Sequence, residues 1–266
     1  MHTWHWRTGD GLPYLTCSLL EPWQHGFFTQ QFWSRPPQDL TKILHKDASG
    51  YRLKQIHGNI VLTPQEIDAK LKLGGDDIEG EGETAQALGD GLITDKPLQG
   101  VWVASADCTP VLMADNKTGQ VAALHAGWRG TAAKIVPEAI ARMQKKGTKL
   151  EDLRIAMGPA IAGEVYQVSK QTGAQVGASI ISESSPEEIL NNLMGISNPP
   201  ILQDEEVDKV RLDVRRINAL QLENLGIQKE QIAIAPYCTY QTPEFFFSYR
   251  RDKLKKVQWS GILSQE

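Results

Sequence analysis

The sequence predicts a mixed α/β fold, a sandwich of mixed β-sheets flanked by helices. Three observations carry this. The middle of the chain holds two apolar runs of strand length, GVWVAS (100–105) and QVAALHA (120–126). Segments of helical period are interspersed with strand-like ones but are too few for strict βαβ repetition. No G-x-G-x-x-G follows a strand, and the Gly-rich stretch GDDIEGEG is acidic, which is wrong for a pyrophosphate cradle, so a Rossmann fold is disfavoured.

Taken in order, residues 1–35 are rich in aromatics (Trp4, Trp6, Trp23, Phe27, Phe28, Trp33) and read as core filling with an edge strand. Residues 51–62 (YRLKQIHGNIVL) read as a strand broken at His57-Gly58 and then continued. Residues 73–95 hold seven acids (Asp76, Asp77, Glu79, Glu81, Glu83, Asp90, Asp95) and no Lys or Arg. Six glycines make this stretch a solvated loop, and its spacing does not fit an EF-hand. ADCTPVLMAD joins the two central strands and contains a further apolar run, Val111 to Ala114. A helix should follow, with Thr131 as N-cap, Ile135, Val136, Ala139, Ile140 and Met143 as its buried face, and Gly147 just past its end. Residues 182–209 are acidic, interrupted by Pro199-Pro200, and read as an insertion around a short helix with Ile189, Leu190, Leu193 and Met194 on its apolar face. Asp213 caps a helix ending at Gly226, and IAIA (232–235) and FFFSY (245–249) read as strands. The whole, residues 1–266, reads as one domain carrying that insertion, without internal repeats.

Composition narrows the function classes. The formal net charge of −4 argues against bulk binding of nucleic acid. No apolar run approaches the roughly 20 residues of a membrane span. The start, MHTWHWR, lacks the apolar region of a secretory signal, so a cytoplasmic protein is expected. Cys17, Cys108 and Cys238 are odd in number and widely spaced, as free thiols are.

Three segments pair a metal-capable side chain with a tight turn: Gln55-Ile56-His57-Gly58, Ala106-Asp107-Cys108-Thr109-Pro110, and His125-Ala126-Gly127-Trp128-Arg129-Gly130-Thr131. Two imidazoles and a thiolate with an open fourth position form a zinc-type catalytic donor set, in which bound water becomes a nucleophile near neutral pH; copper suits the same donors. The competing reading is a buried, inert Cys and a satisfied core His. Gly127, Trp128 and Arg129, at the start of a helix, offer backbone N–H groups and a guanidinium to an anion such as phosphate, against the plainer reading of a turn with a solvated Arg. Asp107 is a candidate base or turn cap. Gly158-Pro159 with Tyr166, Cys238, and Tyr249-Arg250-Arg251 are weaker candidates, and His2, His5, His25 and His45 show no ligand pattern.

The motifs KQIHGNIV, GDGLITD, ASADCTPVLMAD, VAALHAGWRGT, MGPAIAGEVYQV and FFFSYRRD occur in an order and at spacings that resemble the laccase-domain family, also called the multicopper polyphenol oxidase, purine nucleoside phosphorylase or peptidoglycan-editing-factor family. The resemblance spans Gly26 to Ile262. It implies an α/β sandwich related to toxin-type cysteine hydrolases, zinc ligands at His57, Cys108 and His125, and pocket positions at Gln55, Asp107 and Arg129. The chain departs from the family at Gln30 and Gln167, and in LKKVQWSGIL, which stands where Gly-Thr-Gly-Arg is usual.

The activity this favours is that of a zinc-dependent purine nucleoside enzyme. It would phosphorolyse adenosine, inosine, guanosine or methylthioadenosine, with phosphate as co-substrate, and deaminate adenosine. Cys108, Asp107 and Arg129 are its candidate catalytic residues; Gln55, Gly127, Trp128 and Arg129 are its candidate substrate contacts. The alternatives are a peptidoglycan-precursor editing hydrolase, a copper-dependent polyphenol oxidase and a non-catalytic metal-binding protein. The oxidase suffers from ligand arithmetic, because a multicopper relay needs many further His and only four remain.

Overall fold

The alternating apolar runs pair into two six-stranded mixed sheets in this computed structural model, which describes residues 2–80, 85–182 and 185–265. One sheet orders the strands Trp4–Gly9, Leu12–Cys17, His25–Phe28, Gln258–Leu263, Gln99–Ser105 and Ser49–Tyr51. The other orders Ile232–Ile234, Leu153–Met157, Thr109–Asp115, Val121–Ala126, Gly91–Ile93 and Val61–Leu62. Three pairings are parallel and the rest are antiparallel, which makes both sheets mixed.

Side-chain alternation dictates the layering. Leu112, Ala114, Val121 and Ala123 point into the core shared with Leu15, Phe27, Val101, Val103 and Ile262 of the first sheet. Their neighbours Val111, Met113, Ala122 and Leu124 face the other way, onto the helix Ile135–Gln144 and Ala219 and Leu222 of the helix Val214–Asn224. Phe28 and Trp102 cover the outer face of the first sheet, with Leu40 of the helix Pro37–Leu44 packed on them. The result is the expected sandwich flanked by helices. No helix among the described residues is long and apolar enough to cross a membrane.

Several sequence expectations change. The break expected at His57-Gly58 is present, with His57 at a left-handed φ of 61° that a strand cannot hold, but the strand on either side is short, Ser49–Tyr51 and Val61–Leu62. The run Val111–Ala114 is a full strand, Thr109–Asp115. Thr131 caps nothing. A short helix already begins at Trp128 with Gly127 as N-cap, and the buried Thr131 hydroxyl accepts a hydrogen bond from Asn218 Nδ2 at 3.0 Å. The chain then breaks at Lys134 (φ 59°) before the helix Ile135–Gln144, and Gly147 (φ 102°) lies just past its end.

FFFSY is not a strand. Side chains rather than a ladder satisfy its backbone: Gln258 brackets Phe247, and Arg251 donates to Phe246 O. The acidic stretch 73–95 contains short strands at Ile78–Glu79, Gln86–Ala87 and Gly91–Ile93; Glu81 and Glu83 lie outside the described residues. In 182–209, Ser185 and Glu188 form a capping box on the helix Pro186–Gly195, whose Ile189, Leu190 and Leu193 are buried. With the strand Ile201–Gln203, this helix belongs to a third core around Val210 and Leu212.

Candidate active site

Ala106, Asp107 and Cys108 form the three-residue crossover from the strand Gln99–Ser105 of one sheet to the strand Thr109–Asp115 of the other. So short a link forces unusual backbone, and Asp107 sits at φ 90°. It is held there from three sides. Its carboxylate accepts from the Thr239 hydroxyl at 2.8 Å and from the Arg250 backbone N–H at 2.6 Å, and its carbonyl accepts from Ile161 N–H at 3.0 Å. Cys108 is thereby fixed at the sheet ends. His125 joins it from the end of the adjacent strand, register-paired with Pro110 and 3% exposed.

The third residue arrives through Asp90. This carboxylate is fully buried, and its Oδ1 lies 2.9 Å from His125 Nδ1. The same carboxylate accepts from the backbone N–H groups of His57 at 2.9 Å and Gly58 at 2.7 Å, with a longer contact from Ile56 at 3.3 Å. One buried anion therefore shapes the turn that presents His57 and orients the ring of His125. The two rings meet edge to face with centroids 4.8 Å apart. His57, Cys108 and His125 bring one donor atom each within 4.8 Å of one another, and among the described residues they are the only such group of three. With Nδ1 committed to Asp90, His125 keeps Nε2 as its free donor atom, the arrangement that fixes a metal-binding imidazole. Two nitrogens and a sulfur at this spacing fit a borderline-soft ion.

Electrostatics agree with the geometry. Burial alone would raise the Cys108 thiol, but the charge on His125 and hydrogen bonds from both histidines outweigh it and bring the thiol down from 9.0 to about 6. Burial would lower His125, yet the facing thiolate and the Asp90 carboxylate hold it up at about 9. Asp90 itself resists its burial because His125 and the Gly58 and His57 amides stabilise the anion, so its acidity is stronger than usual. Close approach is also enforced by glycine: a Cβ on Gly127 would lie 2.9 Å from Cys108 Sγ, and one on Gly130 would lie 2.7 Å from Gly58 O.

A cavity of about 740 Å³ opens over these residues. Gln55, Asp107, Trp128 and Arg129 all line it. The Arg129 guanidinium lies 4.3 Å from the Trp128 ring centroid. Gln55 forms part of the wall, but its amide is committed at both ends to the Ala104 backbone, at 2.7 and 2.8 Å. Gly127 is buried behind Cys108.

Sequence reasoning missed Asp90, taking it for part of a solvated loop. The signal was present, since Asp90 alone among those acids directly precedes an apolar run, GLI. Tyr166, suspected only as a loop residue, lines the cavity; its hydroxyl is pushed up to about 12 by burial and then by the charge on Cys108, so it keeps its proton. Arg250 stacks 4.9 Å over the Tyr166 ring and lines the cavity too. Ser105 lies on the same wall, 3% exposed, with no hydrogen-bond partner for its hydroxyl among the described residues.

The remaining candidates are structural. Cys17 and Cys238 are buried free thiols, and Cys238 Sγ accepts from Ala162 N–H. His25 is buried, accepting from Cys17 N–H and bonded to Trp23 O, and its pKa falls to about 4 through burial. His2, His5 and His45 bond near their own loops or to Glu230 O. Arg251 donates to the Thr239, Tyr240 and Phe246 carbonyls. Gln30 donates to Pro243 O, and Gln167 to Asp204 and Glu206, all away from the cavity.

The chain is similar to several known proteins. The family described as "Multi-copper polyphenol oxidoreductase laccase" matches residues 38–262. A Synechocystis protein named purine nucleoside phosphorylase is 50% identical over 264 residues, covering 98% of this chain and 97% of its own. A protein of an unknown prokaryotic organism named adenosine deaminase RL5 is 29% identical over 173 residues, 64% of this chain and 60% of its own. Among solved structures, YlmD from Geobacillus stearothermophilus superposes with a TM-score of 0.77 at 22% identity, covering 98% of this chain and 99% of that one, which shows a shared fold.

Proposed function

The chain belongs to the multi-copper polyphenol oxidoreductase laccase family, and from that premise we propose that it is a metal-dependent purine nucleoside enzyme. It phosphorolyses adenosine, inosine, guanosine or methylthioadenosine and deaminates adenosine. The observation that carries this reading is the 50% identity, over nearly the full length of both chains, to a relative named purine nucleoside phosphorylase. The name of the RL5 relative supports the deaminase side.

His57, Cys108 and His125 would hold zinc, which supplies Lewis acidity at the floor of the cavity. The other roles fall to the chain. Asp90 keeps the His125 proton on Nδ1, so that Nε2 stays a donor. Asp107 positions Cys108, its two carboxylate oxygens accepting from the Thr239 hydroxyl and the Arg250 backbone N–H. Arg129, exposed on the cavity wall and steadied against Trp128, places a guanidinium where phosphate enters. In phosphorolysis a phosphate oxygen bonds to the ribose C1′ while the bond from C1′ to the base nitrogen breaks; the base leaves and takes a proton. In deamination water adds at C6 and ammonia leaves. Tyr166, protonated at neutral pH, offers a hydrogen-bond donor within the same cavity.

A multicopper oxidase would need further histidines near this centre. His2, His5, His25 and His45 are bonded elsewhere, so electron-relay chemistry finds no ligands here.

The test is a chromatographic assay on protein of verified metal content, with adenosine, with and without phosphate, beside Cys108→Ala. The expected result is adenine only with phosphate, inosine without it, and neither from the variant. No product from metal-loaded wild type refutes the reading and favours a precursor-editing hydrolase acting on an amide.

A further inference from the structure

The cavity wall is far more basic than the chain around it. Arg52, Lys54, Arg129, Arg250, Lys253, Lys255 and Lys256 all line it, against the single carboxylate of Asp107, in a protein of net charge −4. Among the described residues only Lys54 of these cations is ion-paired, to Glu79 at 2.8 Å. Five of the others are steadied by aromatic faces instead: Arg129 by Trp128 and Arg250 by Tyr166, as described above, Arg52 by Trp259 at 5.7 Å, Lys253 by Tyr249 at 5.6 Å and Lys256 by Phe247 at 5.7 Å from the ring centroid. The cavity also has two distinct ends. Its floor is buried and holds His125 and the Ser105 hydroxyl, which has no hydrogen-bond partner among the described residues. Lys253 and Lys255 are exposed and Lys256 is half-buried; Lys255 and Lys256 belong to LKKVQWSGIL, the segment that stands where Gly-Thr-Gly-Arg is usual, and Lys253 directly precedes it.

A neutral nucleoside gives this rim nothing to bind, and one inorganic phosphate is already served by Arg129. Same-sign charges focused at a cleft mouth raise the local concentration and affinity of anions. The aromatic faces of Trp128, Tyr166 and Trp259 in the same wall suit a purine ring. We propose that the Lys253–Lys256 rim, with Arg52, binds the phosphate ester of a purine nucleoside 5′-monophosphate whose base occupies the cavity, so that nucleotide is preferred over nucleoside at this site. The proposal rests on the purine reading above and deepens it.

Calorimetric titration of the full-length protein as purified tests it, with adenosine, adenosine 5′-monophosphate and inorganic phosphate as separate probes. At low salt the nucleotide should bind about tenfold or more tightly than adenosine, the size of effect given by a few exposed charge-assisted contacts. That ratio should shrink as salt shortens the screening length and should fall toward one in K253A/K255A/K256A. The charge-preserving K253R/K255R/K256R should retain it, which separates charge from a structural role. A ratio near one in the wild type, or a ratio unchanged in the alanine variant, overturns the proposal. So does inorganic phosphate that binds as tightly as the nucleotide and leaves adenosine in place, since the rim would then serve free phosphate. If adenosine is turned over but the ratio is near one, this inference alone fails. If no purine is turned over while the nucleotide keeps a rim-dependent preference, the enzymatic reading fails and the rim stands.

Discussion

Replacing Asp90 with asparagine exchanges one buried oxygen for an amine and removes one charge, and the hydrogen bonds around that carboxylate set the consequences. Oδ1 serves His57 N–H and His125 Nδ1, both at 2.9 Å, while Oδ2 serves Gly58 N–H at 2.7 Å and Ile56 N–H at 3.3 Å. An asparagine can satisfy one side only. If its oxygen takes the Oδ1 place, its amine faces the Gly58 and Ile56 donors and orphans them. If its oxygen takes the Oδ2 place, its amine faces His57 N–H and drives His125 to the tautomer protonated on Nε2, where the ring no longer binds a metal. A buried donor left unmade costs about 1 to 3 kcal/mol, so D90N should lose about 2 to 4 kcal/mol once the weaker contact is counted. Disturbing the group that orients a metal-binding His lowers metal affinity about 10- to 100-fold. Urea denaturation of metal-free protein reads the first quantity, and zinc competition against a chromophoric chelator reads the second. D90N with unchanged stability and zinc affinity within about threefold of wild type would show that Asp90 does not organise the site.

Arg129→Ala should cut phosphorolysis by at least about tenfold, chiefly through the phosphate KM, and leave deamination within about threefold, because only the first reaction needs a held phosphate. Equal losses in both assays would sink that division of labour. In metal-free protein the Cys108–His125 pair should make stability bell-shaped in pH. Cys108 is depressed to about 6, so its contribution is lost as pH falls through that value; His125 is raised to about 9, so its contribution is lost as pH rises through that one. Denaturation midpoints across this range should peak between the two values in wild type and flatten in Cys108→Ser; a flat wild-type profile counts against a thiolate–imidazolium pair.

Local pattern and distant pairing explain what the sequence could and could not disclose. The strand at Val121–Ala126 and the helix Val214–Asn224, with its Asp213 cap, were legible because apolar period and capping chemistry are local signals. The two-sheet sandwich followed from helices too few for βαβ repetition. FFFSY misled because its apolar run is buried by tertiary contacts: Phe245 lies 4.5 Å from the Trp6 ring, and Gln258 and Arg251 replace the ladder partners that would have made it a strand. Thr131 misled because a hydroxyl before an apolar period looks the same whether it caps its own helix or serves Asn218, 87 positions away. His57, Cys108 and His125 were nameable as residue types next to turns, yet spacing alone left them open, and family resemblance chose them. Asp90 was hidden by composition, as one acid among seven in a Gly-rich stretch.

Asp90 also explains why three candidate ligands so far apart in the chain come together without a shared motif. Cys108 is placed by the crossover between sheets and His125 by the neighbouring strand, so these two depend on sheet register. His57 lies in a turn outside any regular strand, at a left-handed φ that a non-glycine residue holds only under constraint. That constraint is the same carboxylate that fixes the His125 ring. Its loss would separate the two imidazoles in different ways, releasing the turn of one and the tautomer of the other, while the Cys108 crossover, anchored through Asp107 to Thr239 and Arg250, stayed in place. A D90N protein that loses metal yet keeps the fold of its 106–108 crossover, as read by amide hydrogen exchange, is the state this linkage requires.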